Sequence, residues 1–322
     1  MRAIEFIGPR SIRLRDDVPV PEPQPGEVLV QCRYVALCGT NMGPYLHDGR
    51  WANPAIPRPP GWLGHENIGF VVRSRAADWP EGTPVLAHPD DYNGFAEFIR
   101  SKPAGLARLP DQLPDLAAMV VAQPLATVLR AMIRTGPVIN QRCAVVGQGP
   151  MGLIFTHLLR RMGASQVIGI DRVGWRLPWS TRMGATAVID ASQGKVVEAV
   201  REQTGGKMVD FCGEAVGHPE ALDVAARLPR RQGRLYVFGV PHHESQPFPW
   251  FPTVGNETEI ITSMGPECME YFQTAVNMIV DGHVDLAAMV TPRMPWERAA
   301  EAFEMYANPG QAVDSLKLTL VL

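Results

Sequence analysis

The sequence predicts a two-domain α/β chain, with an all-β barrel- or sandwich-like domain followed by a doubly wound parallel sheet. Three observations carry this. Proline and glycine break the first third into short extended stretches, and the middle third alternates β-branched runs with helically spaced apolar residues. The length, 322 residues, suffices for about two domains, each with its own core.

Taken in order, Pro19, Pro21, Pro23 and Pro25 form an extended lead-in, because each fixes φ and biases the preceding residue away from helix. Gly26 releases a strand over Glu27–Leu37, in which Val28, Val30 and Cys32 alternate with Leu29 and Gln31. Asn53–Pro60 holds four prolines and reads as a loop, and Ile68–Val72 as the next strand. Val145–Val146 and Val167–Ile170 flank a helix marked by Met151, Ile154, Phe155, Leu158, Leu159 and Met162. Further strands are expected at Ala187–Ile189, Val209–Cys212, Arg234–Phe238 and Glu259–Thr262. Pro178-Trp179 interrupts the helix expected after Asp171. The tail adds helices around Met269–Val280 and Trp296–Tyr306 and a closing strand at Leu316–Leu322.

Composition excludes several classes of function. Hydrophobic residues make up 46%, charged residues 20%, and the net charge is −3 with the signs interspersed. No basic stripe is present to neutralise phosphates, so a nucleic-acid partner is not expected. No uninterrupted apolar run reaches about 18 residues, so no membrane span is expected. Met1–Arg15 alternates apolar and charged residues and lacks a secretory apolar segment. Cys32, Cys38, Cys143, Cys212 and Cys268 are odd in number and far apart, which points to free thiols in a reducing compartment, the cytoplasm.

Between the strand at Cys143–Val146 and the helix that follows it, Gly147, Gly149, Pro150, Met151 and Gly152 complete a G-x-G-x-x-G turn. Such glycines permit a tight turn, close approach of backbone to a pyrophosphate, and close packing of helix on strand. The helix N-terminus adds N–H groups and a positive dipole end. Asp171 ends the second strand, 19 residues after Gly152, where a carboxylate can accept hydrogen bonds from an adenosine ribose. Its charge favours NAD over NADP, an effect that the adjacent Arg172 partly offsets. This is the Rossmann dinucleotide signature.

Three separate segments offer metal-ligand chemistry. Cys38-Gly39-Thr40-Asn41 ends the Glu27 strand, Gly64-His65-Glu66 precedes the Ile68 strand, and Gln123 to Thr127 lies just before the Rossmann unit. Thiolate, imidazole and carboxylate are ligand types that zinc accepts, with one position left open at catalytic sites. Taken singly, Cys38 is also a small core residue, His65 a loop residue and Glu66 a solvated charge.

These motifs resemble the zinc-dependent medium-chain dehydrogenase/reductase superfamily, which includes alcohol, sorbitol, threonine and archaeal glucose dehydrogenases. The likeness covers nearly the whole chain and includes Asn93–Phe98 and Met183–Asp190. It implies a GroES-like β-barrel catalytic domain over residues 1–124 and 266–322, with the Rossmann domain over 125–265. It further implies one catalytic zinc on Cys38, His65, Glu66 and the residue at 123, with Cys38 and Glu66 neutralising the ion. NAD, or alternatively NADP, would be the cofactor and a small alcohol, polyol or sugar the substrate. Thr40 would relay a proton, Thr127 and Phe238–Val240 would touch the nicotinamide, and the chain would form a dimer or tetramer.

Three departures qualify the resemblance. Position 123 is Gln where relatives commonly carry Glu or Cys, although archaeal glucose dehydrogenases have a similar Gln-Pro-Leu-Ala segment. No cysteine lies between Cys38 and Cys143, which rules out the four-cysteine structural zinc lobe. Gly43 stands where relatives place a proton-relay histidine, leaving His47 as the substitute. Loop residues Trp51, Asp90, Asp91 and Tyr92 suit a hydroxylated substrate. Two other readings stay open: a zinc-free reductase of the same superfamily, and a non-catalytic dinucleotide-binding protein.

Overall fold

The strands follow the proline and glycine punctuation closely. They are β1 (Ala3–Gly8), β2 (Ser11–Arg15), β3 (Val28–Ala36), β4 (Asn67–Ser74), β5 (Pro84–Ala87), β6 (Phe98–Ser101) and β7 (Leu106–Arg108). There follow β8 (Arg142–Val146), β9 (Gln166–Asp171), β10 (Ala187–Asp190), β11 (Val209–Glu214), β12 (Pro229–Val237) and β13 (Glu259–Thr262), and near the end β14 (Arg293–Pro295) and β15 (Thr319–Val321). The computed structural model describes residues 1–48, 57–241, 243–264, 266–311 and 314–322. Trp51 and part of the Asn53–Pro60 loop lie outside these.

The chain divides into two units, Met1–Thr127 with Glu267–Leu322, and Val128–Pro266. In the first, β1 and β2 form a ribbon, and a larger sheet runs β14-β15-β3-β4-β5-β7 with β6 also on β3. Val28, Val30 and Cys32 of β3 point into the core, as their alternation requires. Phe303, on the helix Ala299–Ala307, packs at 5.4 Å from both Phe6 and Phe95 and at 5.1 Å from Tyr45. That aromatic knot draws the C-terminal segment back into the first unit.

The second unit is a parallel sheet of order β10-β9-β8-β11-β12-β13. Strand order reverses between β8 and β11, the crevice where open α/β sheets take ligands. The architecture is thus the predicted α/β pairing of a barrel-type domain with a doubly wound sheet.

Two expectations change. Pro178 does not interrupt a helix: it is the third residue of the helix Arg176–Arg182, where its missing N–H has no intrahelical acceptor to lose. The tail helices are shorter than expected, Phe272–Val280 and Ala299–Ala307, each preceded by a 3₁₀ turn. Leu116–Thr135 is one continuous helical stretch of 20 residues whose mean hydropathy, 1.7, would by length and composition alone suit a membrane span. Its polar residues interrupt the linear apolar run without lowering the average enough, and 72% of it is buried inside the protein, as in a core helix.

Asp210 ties the amino-terminal edge of the second sheet together. It accepts the Arg142 N–H at 2.8 Å and pairs with Arg142 and Arg230, at 3.3 and 2.5 Å. Burial raises its carboxyl pKa, but these donors outweigh burial and the net shift is downward. A depressed folded-state pKa contributes stability above the unfolded value, about 3.9. Asp210→Asn should therefore lose about 1–3 kcal/mol in urea unfolding at pH 7, and the gap to the native chain should close as pH falls below about 4. A gap that widened in acid would contradict this.

Candidate functional site

In the first unit the candidate donor atoms of Cys38, His65 and Glu66 lie within 4.8 Å of one another. Asn41 makes this possible. Its side-chain oxygen accepts the Cys38 N–H at 2.7 Å, and its side-chain nitrogen donates to the Leu63 carbonyl at 3.0 Å. The same carbonyl lies 2.9 Å from His65 Nδ1 and orients the ring. With its proton on Nδ1, the imidazole keeps Nε2 as a lone-pair donor, the form a metal-binding histidine adopts. Burial lowers the His65 pKa, but the Cys38 thiolate outweighs burial and pushes it up to about 9, so a cation bound at Nε2 would displace a proton from it. Burial and Glu66 raise the Cys38 thiol, yet His65 and Lys317 bring it down on balance. A thiolate, an imidazole and a carboxylate gathered in a buried pocket are a donor set that fits zinc.

Lys317 escaped notice in the sequence. Its Nζ lies 2.5 and 2.8 Å from the two Glu66 oxygens and 3.1 Å from the Leu37 carbonyl, with both charged residues 1% exposed. The expectation that Cys38 and Glu66 together neutralise a dication is thereby corrected, because Lys317 already offsets Glu66. The signal was present as a lysine between Leu316 and Leu318 in an apolar run. His88 is also buried, 6.1 Å from the His65 ring and 4.8 Å from Tyr92. Asp90 and Asp91, expected to suit a polyol, are engaged locally. Asp90 pairs with Lys102 at 2.9 Å and Asp91 accepts the Asn93 N–H at 3.1 Å.

Gln123 is buried, and its carbonyl accepts the Thr127 hydroxyl at 3.1 Å. Thr40 Oγ1 and His47 Nε2 are buried and lack hydrogen-bond partners among the described residues.

In the second unit the glycine turn is built as the spacing requires. Gly147 sits at φ +91°, and a Cβ on Gly152 would fall 1.7 Å from the Gly147 carbonyl oxygen, so the helix packs on the strand only without a side chain there. Gly149 caps the helix Pro150–Arg161, and Pro150 opens it; Met151 follows, half-buried. Gln148 fills the space beneath the turn, donating to the Val145 and Gly147 carbonyls at 3.0 and 3.1 Å. Asp171 accepts the N–H groups of Gln148 and Val173 at 2.6 and 2.8 Å, leaving lone pairs for a ribose. Arg176, 3.6 Å from Asp171, offsets its charge more directly than the exposed Arg172 on which the sequence reading relied. Val240 is half-buried just beyond β12.

Fold and site together define a barrel-type domain with a metal-competent cluster joined to a dinucleotide-type domain. Residues 24–111 match the alcohol dehydrogenase GroES-like domain and residues 150–281 match the zinc-binding dehydrogenase domain. The chain is 27% identical over 317 residues to an L-threonine 3-dehydrogenase of Bacillus licheniformis, covering 89% of this chain and 90% of the relative. It is 26% identical over 333 residues to a sorbitol dehydrogenase of Bacillus subtilis, covering 94% and 93%. An alcohol dehydrogenase structure from Thermus sp. ATN1 superposes with a TM-score of 0.87 at 25% identity, over 100% of both chains. The chain belongs to the zinc-dependent medium-chain dehydrogenase superfamily and is an oxidoreductase of the dehydrogenase class.

Removing one member of a buried ion pair strands the other. Lys317→Met should cost roughly 3–5 kcal/mol in urea unfolding, and the double variant Lys317→Met/Glu66→Leu should recover most of it. A single variant as stable as the native chain would show that the pair is not closed in solution.

Proposed function

We propose that the chain is a zinc-dependent, NAD-using dehydrogenase that interconverts the hydroxyl of a small alcohol, polyol or sugar with the corresponding ketone or aldehyde. The observation that carries this is the convergence of Cys38, His65 and Glu66 donor atoms within 4.8 Å in a chain that also holds a glycine-rich dinucleotide turn. Cys38, His65 and Glu66 would hold the metal, with Gln123 as a fourth, neutral donor. Bound there, zinc supplies Lewis acidity toward the substrate oxygen, and the nicotinamide supplies the hydride-accepting carbon.

The chain's own residues do the rest. Lys317 offsets Glu66, so the protein donors carry one net negative charge; a bound dication would keep one net positive charge, which would favour a substrate hydroxyl that has given up its proton. Thr40 would relay that proton, accepting it at Oγ1, a buried hydroxyl with no other partner among the described residues, as it passes its own hydroxyl proton onward, with His47 Nε2 as the outlet in place of Gly43. Asp171 selects the unphosphorylated adenosine ribose, while Arg172 and Arg176 temper that selection and leave NADP as a weaker alternative. Gly147, Gly149, Pro150, Met151 and Gly152 cradle the pyrophosphate, and Thr127 and Val240 contact the nicotinamide. We further propose a dimer or tetramer in the cytoplasm.

Elemental analysis of chelator-free protein should give about one zinc per chain, and Cys38→Ser should lower both zinc content and turnover on a polyol panel by at least tenfold. Less than a tenth of one zinc with activity intact would favour a zinc-free reductase. NADH binding without turnover on any alcohol would favour a non-catalytic dinucleotide protein.

A further inference from the structure

Glu214 ends β11 and is fully buried, yet nothing in the proposed chemistry uses it. One carboxyl oxygen accepts the Val216 and Gly217 N–H groups at 2.7 and 2.8 Å. Its backbone carbonyl accepts the Phe238 and Gly239 N–H groups, at 2.9 and 3.0 Å, from the turn after β12. The two turns interlock backbone to backbone. A Cβ on Gly239 would fall 2.0 Å from the Gly217 nitrogen, and one on Gly217 would fall 2.2 Å from the Val240 oxygen. The second carboxyl oxygen is sealed between them beside Gly239, with no well-formed hydrogen bond among the described residues; the Val216, Gly217 and Gly239 N–H groups lower the carboxyl pKa, but burial outweighs them and raises it. Val216, between the two braced N–H groups, is 43% exposed. Its Cγ2 stands 2.5 Å from where a Gly147 Cβ would be, at the reversal of strand order between β8 and β11.

We infer that Glu214 is a positioning residue of the dinucleotide crevice: it locks the turns after β11 and β12 together so that Val216 forms an apolar wall beside the Gly147 turn. The inference rests on the dinucleotide reading above. Acceptor geometry, not negative charge, is what the brace requires, because an amide oxygen accepts the same two N–H groups. The adenosine end, at Asp171 on β9, lies on the other side of β8 and does not depend on it.

The test is calorimetric titration of the full-length chain with NADH and, separately, with AMP, after circular dichroism has shown each variant folded. Glu214→Ala should weaken NADH at least tenfold and leave AMP within twofold, whereas Glu214→Gln should bind NADH within threefold of the native chain. Val216→Ala keeps the brace and should weaken NADH several-fold with AMP unchanged; it decides the matter if Glu214→Ala does not fold. NADH affinity unchanged in the alanine variants, or NADH and AMP weakened by the same factor, overturns the brace. A glutamine variant as defective as alanine overturns the acceptor role. A native chain that binds neither NADH nor NADPH overturns the dinucleotide reading itself and the brace with it.

Discussion

The side chain of Asn41 holds the first unit's chemistry in place. It satisfies the Cys38 backbone N–H and the Leu63 carbonyl at once, and so clamps together two segments that approach the cluster from different strands. Gly64 contributes by absence: a Cβ there would fall 2.1 Å from the Phe95 nitrogen, so the chain reaches His65 only by passing flat against the Gly94–Phe95 backbone. With an aspartate at 41, the oxygen could still accept the Cys38 N–H, but an ionised carboxylate could not donate to the Leu63 carbonyl. The amide is thus matched to a donor–acceptor pair of opposite demand, and it adds no charge to a pocket that already holds a thiolate and a carboxylate.

That pocket also explains why the first unit is discontinuous in sequence. A buried carboxylate such as Glu66 needs a countercharge, and the chain supplies it from Lys317, 251 residues later. The Phe303 knot and Lys317 both anchor the returning segment, one by apolar burial and the other by charge. The core therefore closes only after the second unit has been traversed, and the cluster is completed by the last strand region of the chain.

Much of this was legible in the residues, for reasons that differ by element. The glycine turn was readable in detail because each glycine answers a local steric demand: Gly147 a positive φ, Gly152 a contact that no side chain survives. The strands around β3, β4, β8 and β9 were readable because prolines and β-branched runs bound them. Pro178 misled because a proline looks like a break wherever it falls, while its cost depends on whether its N–H would have been bonded. Lys317 and Asn41 were not legible as site residues because their roles depend on partners far away in sequence, which no periodicity encodes. Asp90 and Asp91 suited a hydroxylated substrate by residue type alone, because the sequence cannot show that Lys102 and the Asn93 N–H also engage them.

Two deeply buried glutamates among the described residues are treated in opposite ways, and the difference follows from what surrounds each. Glu66 faces an ammonium group that answers charge with charge, in a cluster suited to a cation. Glu214 faces only backbone N–H groups, which satisfy an oxygen without neutralising a full charge, and burial accordingly lifts its carboxyl toward the protonated form. A residue serving as an acceptor between two turns loses nothing by being neutral, whereas one facing a lysine in a metal-competent pocket would leave that lysine unpaired. The same side chain therefore acts as an electrostatic element in the first unit and as a hydrogen-bonding strut in the second.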